Sequence, residues 1–457
     1  MIILPGGRKP VAIYFRGRAV QRLYVGSKLV WPEAERHGIR SASLCRTHSA
    51  FVLNNGTFWT CGSNRHGQLC RIGPSGRWDK PNLKQVPDIT DAKAVAVSCT
   101  PDGEGSTVLL REHGRIHSAG YSNSSSLSVT STLKRVYSSL GRDGLSGSET
   151  FCNFTEILGI HSIDRIWHGR GRLIVRKSDG GVYGFGLDWD TNRGLLRWLQ
   201  VEDSYGEPLA CSDLSLQTEP LVALCSDGTL AIHGPIAPWH RPSEFPASAT
   251  SVLQPYANEH FLSEIRKVST GLSHLAAVTR TGYLRMVGSD EFGQLCSPAF
   301  RYSNPEKGHR LDEPIKDVAC GDRHTVILYP YGRVKTGGRN QRGQLGREIP
   351  VGCGHDWLYF TGADRVTENG WFGNGDFIPG IDDATAVYAG GDSTLIVRRN
   401  GITVCGDNEF GQLGTATDKH VVNATDRTVW NESGGNPKNP FRTNLTPLKG
   451  VEEIFSR

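Results

Sequence analysis

The sequence predicts an all-β chain built from seven repeats, and three observations carry that prediction. Its 457 residues hold 55 glycines beside only 2 methionines, a composition that favours tight turns and stiff strands over long helices. Short apolar runs recur along the chain, each followed within a few residues by a glycine. Behind four of these runs comes the same Gly-Gln-Leu loop. Apolar runs without strict alternation belong to strands buried on both faces, as happens when small sheets stack around an axis. The repeats recur every fifty to seventy residues or so, roughly the period of propeller-type arrays. The expected architecture is therefore a seven-bladed β-propeller.

Residues 1–37 stand apart from the repeats. They carry Arg8, Lys9, Arg16, Arg18, Arg22 and Lys28, with no acidic residue before Glu33. The stretch from Val20 through Tyr24 and Gly26 to Trp31 and Pro32 reads as two short strands around a glycine turn, too small to hold a core alone. A small basic β segment that docks on a partner surface is expected, with Arg16, Arg18, Arg22, Tyr24 and Trp31 as its anchor residues.

Residues 38–457 are assigned to the propeller. Its four clear apolar runs are Ala50-Phe51-Val52-Leu53, Leu275-Ala276-Ala277-Val278, Thr325-Val326-Ile327-Leu328 and Thr394-Leu395-Ile396-Val397, followed by the turn glycines Gly56, Gly282, Gly332 and Gly401. Weaker copies are Thr107-Val108-Leu109-Leu110, Leu173-Ile174-Val175 and Leu221-Val222-Ala223-Leu224, with Gly114, Gly180 and Gly228. A second strand then runs to a glycine, as in Thr57-Phe58-Trp59-Thr60-Cys61-Gly62. The loop behind it reads Gly67-Gln68-Leu69, Gly293-Gln294-Leu295, Gly343-Gln344-Leu345 and Gly411-Gln412-Leu413. Glycine permits the positive φ of a tight loop, and the leucine plugs the core between neighbouring sheets. A further strand leads each unit, as in Ile265-Arg266-Lys267-Val268, and Val451-Glu452-Glu453-Ile454-Phe455 repeats it at the end of the sequence. Those last residues are expected to pair with the first repeat and close the ring. Long insertions fall near residues 347–380 and 415–447.

The pattern of apolar strand, turn glycine, second strand and Gly-x-Asn-x-x-Gly-Gln-Leu-Gly resembles the regulator of chromosome condensation repeat. Its best copies are Gly62-Ser63-Asn64-Arg65-His66-Gly67-Gln68-Leu69 and Gly406-Asp407-Asn408-Glu409-Phe410-Gly411-Gln412-Leu413-Gly414. The resemblance spans about residues 38–457. It is degraded in repeats two to four, where Gly194-Leu195-Leu196 and Gly234-Pro235-Ile236 replace the signature, and it implies a seven-bladed propeller. The leader from Tyr24 to Pro32 is similar to the Tyr-Val-Gly-x-x-x-Val-Trp-Pro leaders of bacteriophage tail-associated proteins.

Charge and motif content limit the function. A formal charge of +5 on 50.0 kDa is too mild to imply nucleic acid, and no stretch approaches the roughly 18 apolar residues of a membrane span. The apolar opening Met1-Ile2-Ile3-Leu4 meets Pro5-Gly6-Gly7 at once, so a secretory signal is not expected. The 11 cysteines include no Cys-x-x-Cys pair, so reduced thiols are expected rather than a disulfide set or zinc ribbon. Cys353-Gly354-His355-Asp356 lacks a second ligand cluster, so no metal and no cofactor are expected. His48, His274 and His324 recur at one repeat position. Catalysis needs a histidine once and a blade corner needs it in every blade, so these are read as structural. Neither a nucleophile elbow nor a phosphate loop is present, and the chain is not expected to be an enzyme.

Tryptophan supplies the candidate binding residues. Trp59 and Trp167 lie in strand contexts and are read as core. Trp189, Trp198, Trp239, Trp357 and Trp371, with Tyr359, lie in irregular Gly/Asp/Asn-rich loops, where an aromatic ring can stack on a sugar, anchor a protein or simply pack a loop. Leader and repeats together lead to the expectation of a bacteriophage virion protein of the minor tail or tail-tip type. Residues 1–37 would attach it to other virion proteins, and the propeller would meet a host-surface glycan or protein. Many copies on one symmetric particle would gain attachment through effective concentration. The alternatives are a capsid decoration protein, or a propeller that binds a protein partner as a guanine nucleotide exchange factor or an inhibitor.

Overall fold

In a computed structural model of the chain, the described residues are 14–15, 18–19, 23–25, 28–31, 38–64, 66–71, 83–99, 105–120, 154–157, 159–169, 172–185, 198–201, 207–216, 221–233, 254–255, 264–288, 293–296, 309–310, 313–340, 342–347, 376–399, 401–414 and 442–448. Every regular element among them is a strand. Two small hairpins come first. β1 (Tyr14–Phe15) pairs with β2 (Arg18–Ala19), and β3 (Leu23–Val25) pairs with β4 (Lys28–Trp31).

Seven antiparallel four-stranded sheets follow, each drawn from consecutive strands. The first contains β5 (Ile39–Leu44), β6 (His48–Leu53), β7 (Phe58–Gly62) and β8 (Lys84–Gln85). The second contains β9 (Ala92–Cys99), β10 (Gly105–Arg111), β11 (Ile116–Gly120) and β12 (Thr155–Glu156). The third contains β13 (Ile163–Gly169), β14 (Arg172–Lys177), β15 (Val182–Phe185) and β16 (Trp198–Gln200). The fourth contains β17 (Cys211–Ser215), β18 (Leu221–Cys225), β19 (Leu230–His233) and β20 (Gln254–Pro255). The fifth contains β21 (Ile265–Thr270), β22 (His274–Thr279), β23 (Leu284–Gly288) and β24 (His309–Arg310). The sixth contains β25 (Asp317–Cys320), β26 (His324–Leu328), β27 (Val334–Gly338) and β28 (Asp376–Phe377). The seventh contains β29 (Ala384–Gly390), β30 (Ser393–Arg398), β31 (Gly401–Gly406) and β32 (Arg442–Pro447). Repeats two to four thus keep four strands despite their degraded signature.

The apolar runs form the second strand of each sheet, and their lack of alternation has a direct cause. In β6 all six residues are buried, with Ala50 and Val52 facing the second sheet and Phe51 facing the seventh. In β22, Ala276 and Val278 face the sixth sheet while Leu275 and Ala277 face the fourth. Side chains alternate across a strand, so a sheet packed on both faces must be apolar at odd and even positions alike. The core accordingly divides into seven clusters, one for each pair of successive sheets and one between the seventh and the first. The last joins Leu44, Phe51 and Cys61 to Leu395, Val397, Ile402 and Val404.

Polar staples repeat at both edges of these interfaces. At one edge, the carbonyls of the turn glycines Gly56, Gly114, Gly228, Gly282 and Gly332 accept from the backbone that opens the next sheet. Ala92 N donates to Gly56 O at 2.9 Å, Ile163 N to Gly114 O at 3.0 Å, Ile315 N to Gly282 O at 2.7 Å and Ala384 N to Gly332 O at 3.0 Å. Gly56 must be glycine there: its φ is +80°, and a Cβ would lie 2.2 Å from Thr90 O. Gly401 departs from the expectation. It opens β31 as a strand residue paired with Arg398, without a positive φ.

At the other edge the recurrent histidines do the joining. His48 Nε2 lies 2.9 Å from Thr107 Oγ1, His274 Nε2 lies 3.0 Å from Thr325 Oγ1, and His324 Nε2 lies 2.9 Å from Thr394 Oγ1. Each threonine donates its own proton, at 2.7 Å, to the carbonyl of Gln68, Gln294 or Gln344 respectively. The hydroxyl proton is therefore committed, so each histidine carries its proton on Nε2 and donates. The Gly-Gln-Leu loop supplies that carbonyl. Its glycines have φ near +78°, and Leu69, Leu295, Leu345 and Leu413 are at most 2 % exposed. Asn64, Asn340 and Asn408 accept from the leucine N–H at 2.9 Å, and Gln68, Gln344 and Gln412 accept from the N–H two residues earlier.

Two expectations need adjustment. Trp59 and Trp167 are half-buried at interface margins rather than interior, with their indole N–H groups on Thr57 Oγ1 and Asp213 Oδ1. The proposed pairing of residues 451–455 with the first repeat lies outside the described residues.

Burial holds His324 down to about 4 against an ordinary 6.5. The unfolded chain then takes up a proton at a pH where the folded chain does not, so stability is lost as pH falls through this window. The expected outcome is that His324→Gln removes about 3 kcal/mol of the pH dependence between 6.5 and about 4, read from urea unfolding of both proteins.

Candidate functional site

Two connections of every sheet share one face. The turn from first to second strand and the connection from third to fourth strand both leave where the second strand begins, since His48 pairs with Gly62 and His324 with Gly338. The turns are short. The third-to-fourth connections are the longest in each sheet.

The first-to-second turns interlock. Leu272 N donates to Asp322 O and Asp322 N donates to Gly391 O, both at 2.8 Å, so the turns of the fifth, sixth and seventh sheets are stitched in sequence. The histidine staple joins the first sheet to the second, the fifth to the sixth and the sixth to the seventh; between the seventh and first sheets Ser393 and Ser49 stand at the positions of its histidine and threonine. Cys61 Sγ lies 3.3 Å from Gln412 O instead, and Gln412 Nε2 donates to Arg46 O at 2.9 Å.

Arg46 then reaches past the seventh sheet. Its Nε and one terminal nitrogen both lie 2.8 Å from Asp322 Oδ2, a pair 276 residues apart in sequence. Asp322 is the more buried partner, with a side chain 15 % exposed against 43 % for Arg46. Burial pushes the Asp322 carboxyl above its usual range, assisted by repulsion from Asp392 and opposed by Arg46. Burial works against the Arg46 guanidinium, but Asp322 and Asp392 outweigh it and raise its pKa. Asp392 itself accepts from Gln344 Nε2 at 3.0 Å. Charged side chains of the first, sixth and seventh sheets thus form one fixed network on this face. It provides a guanidinium and carboxylates for a polar contact.

The sequence-derived candidates map as follows. Trp198 opens β16, paired with Phe185, and so stands in a strand rather than a loop, because the edge of β15 recruits it into the ladder. Trp189, Trp239, Trp357, Tyr359 and Trp371 lie outside the described residues, as does Cys353-Gly354-His355-Asp356. In sequence, all of these fall within third-to-fourth connections. Of the anchor set, Arg18, Tyr24 and Trp31 belong to the leader hairpins, whereas Arg16 and Arg22 lie outside the described residues. Arg46, Asp322 and Asp392 were missed. Their one signal is that each occupies the turn between a first strand and a second strand. Among the described residues no group of three or more histidine, cysteine or acidic side chains is placed to hold a metal ion, and no helix is long and apolar enough to cross a membrane.

No family model matches the chain. It is 24% identical over 383 residues to the secretion-regulating guanine nucleotide exchange factor of Bos taurus, covering 82% of this chain and 68% of that protein. It is 31% identical over 157 residues to the serine/threonine-protein kinase Nek9 of Mus musculus, covering 33% of this chain and only 14% of the kinase. Among solved structures it is similar to Prp20p of Saccharomyces cerevisiae, the yeast RCC1, with a TM-score of 0.62, 15% identity and coverage of 94% of this chain and 90% of that one. That structure is described with its binding to Gsp1p and histones. At 15% identity the likeness speaks for the fold: an all-β propeller of the regulator of chromosome condensation type. The relatives support the reading as a regulator-type, partner-binding propeller better than the virion reading.

Removing Arg46 leaves Asp322 unpaired. A carboxyl whose folded pKa is raised contributes stability below its unfolded pKa and loses it as pH rises through the folded value. Arg46→Ala is therefore expected to cost about 1–2 kcal/mol at neutral pH, discounted for the exposure of the arginine, and less in acid. Urea unfolding of the variant and the parent at both pH values measures it.

Proposed function

We propose that the chain is a non-catalytic protein-binding module, a closed seven-bladed propeller whose working face is the one that carries Arg46, Asp322 and Asp392. The observation behind this reading is topological. All seven third-to-fourth connections, which contain the loop tryptophans, leave from that face, while among the described residues the opposite face shows tight glycine turns and the glycine-carbonyl links between sheets. Long connections on a stapled scaffold are where binding surfaces are built.

The partner class best supported is a small GTPase. The bovine relative is named a guanine nucleotide exchange factor, and the structural neighbour is described with its binding to Gsp1p. Exchange needs no covalent chemistry from the propeller: a partner held more tightly without nucleotide than with it releases the nucleotide by population shift. A second reading is favoured by the leader. β3 and β4 form their own hairpin, distinct from the seven sheets, with Tyr24 and Trp31 on it. This fits an attachment segment on a virion protein, with residues 1–37 docked on neighbouring particle proteins.

One experiment separates the two. The full chain is mixed with a panel of small GTPases loaded with fluorescent GDP, and a second chain starting at His37 is run beside it. Accelerated release by both chains, weakened by Arg46→Glu, is the expected result. No acceleration across the panel, combined with co-sedimentation of only the full chain with large particles from its source, overturns the GTPase reading in favour of the virion one.

A further inference from the structure

The histidine staples depend on what stands three residues earlier. Gly271 precedes His274 and Gly321 precedes His324, and a Cβ at either would lie 2.1 or 2.0 Å from the histidine Cε1. In the first sheet the matching residue is Cys45. Its Sγ lies 3.2 Å from His48 Nδ1 and 3.6 Å from Thr47 Oγ1. His48 donates through Nε2 to Thr107, so its Nδ1 carries the lone pair that faces the Cys45 thiol.

A second thiol meets the first. β5 and β9 lie side by side, with Val95 N on Ser41 Oγ at 3.2 Å and Val97 N on Ser43 Oγ at 3.0 Å, each pair 54 residues apart. The next step of this ladder is Cys45 and Cys99, and the two pack in one cluster of the core between the first and second sheets. Both thiols are free. Cys45 is 6% exposed and Cys99 is partly open to solvent, near the Arg46–Asp322 pair.

We propose that Cys45 and Cys99 are a peroxide-reactive dithiol that closes reversibly into a disulfide joining the first and second sheets at the working face. The Cys45 thiolate, its proton held by His48 Nδ1, attacks one oxygen of hydrogen peroxide. The O–O bond breaks, the leaving hydroxide takes the proton as water, and Cys45 becomes a sulfenic acid. Cys99 sulfur then attacks the Cys45 sulfur and the S–O bond breaks. The departing hydroxide takes the Cys99 proton as a second water. Two thiols are oxidised and one peroxide is reduced.

The electrostatics assign the two roles. Burial opposes the Cys45 thiolate, but Cys99 and His48 outweigh it and hold Cys45 well below the ordinary thiol range. Cys99 is pushed well above that range, by Cys45 and by burial. Cys45 is thus the nucleophile and Cys99 the resolving thiol. Burial pushes Cys61, Cys320 and Cys405 up to about 12, which leaves them inert beside the pair.

The full chain is treated with hydrogen peroxide, denatured, alkylated and mapped by peptide mass. Expected are joint loss of alkylation at Cys45 and Cys99, a cross-linked peptide joining them, recovery with dithiothreitol, and full labelling of Cys61, Cys320 and Cys405. In Cys99→Ser, dimedone should trap a sulfenic acid on Cys45, and in Cys45→Ser peroxide should leave Cys99 reduced. The proposal is overturned if Cys45 and Cys99 in the unaltered chain stay as fully alkylated as the other three, or if Cys99 is oxidised in Cys45→Ser.

Discussion

The second strand of every sheet is packed on both faces, and the rest of the structure follows from that constraint. A sheet with one solvated face can alternate apolar and polar residues, but here β6, β22 and β26 are buried along their whole length. No sheet has a self-sufficient core, since each cluster takes side chains from two successive sheets. Hydrophobic contact is non-directional and would tolerate sliding of one sheet over the next. The polar staples fix the register. A buried donor or acceptor left unmade costs more than a made bond contributes, so the His–Thr–Gln carbonyl chain on one edge and the glycine carbonyl on the other permit one alignment of the sheets they join.

The interface between the seventh and first sheets is held without the histidine staple. Serines replace the histidine and threonine, and the linkage passes to Cys61, Gln412 and Arg46. Arg46 crosses to Asp322 of the sixth sheet, so the first-to-second turns on this face are tied over a span that no neighbouring contact covers. Structure and function meet at this point: the charged network that secures the last interface lies on the face from which the long connections leave. A binding surface built there rests on a scaffold stapled at both edges, so its loops vary in length without disturbing the core.

The first-to-second turn position shows how one repeat site serves different ends. Glycine in the fifth and sixth sheets makes room for the histidine ring, whereas in the first sheet a cysteine shares that space with His48 and meets Cys99 of the neighbouring strand. The same backbone geometry that lets a histidine bridge two sheets places two thiols in contact.

The sequence by itself determined the all-β class, the repeat, the double burial of the apolar runs and the structural role of the Gly-Gln-Leu loop. Each is written in local order, where Ala50 to Leu53 or Gly343 to Leu345 act on neighbours a few residues away or on the equivalent strand of the next repeat. The recurrence of His48, His274 and His324 was legible for the same reason, although their threonine partners were not. Tertiary structure alone decided that Trp198 belongs to a strand, that Gly401 opens one, and that Trp59 and Trp167 sit at margins. It alone brought Arg46 to Asp322 and Cys45 to Cys99. Those pairs join residues 276 and 54 positions apart through ring geometry, and no repeat period or motif encodes a contact that occurs once and depends on how the whole set of sheets closes.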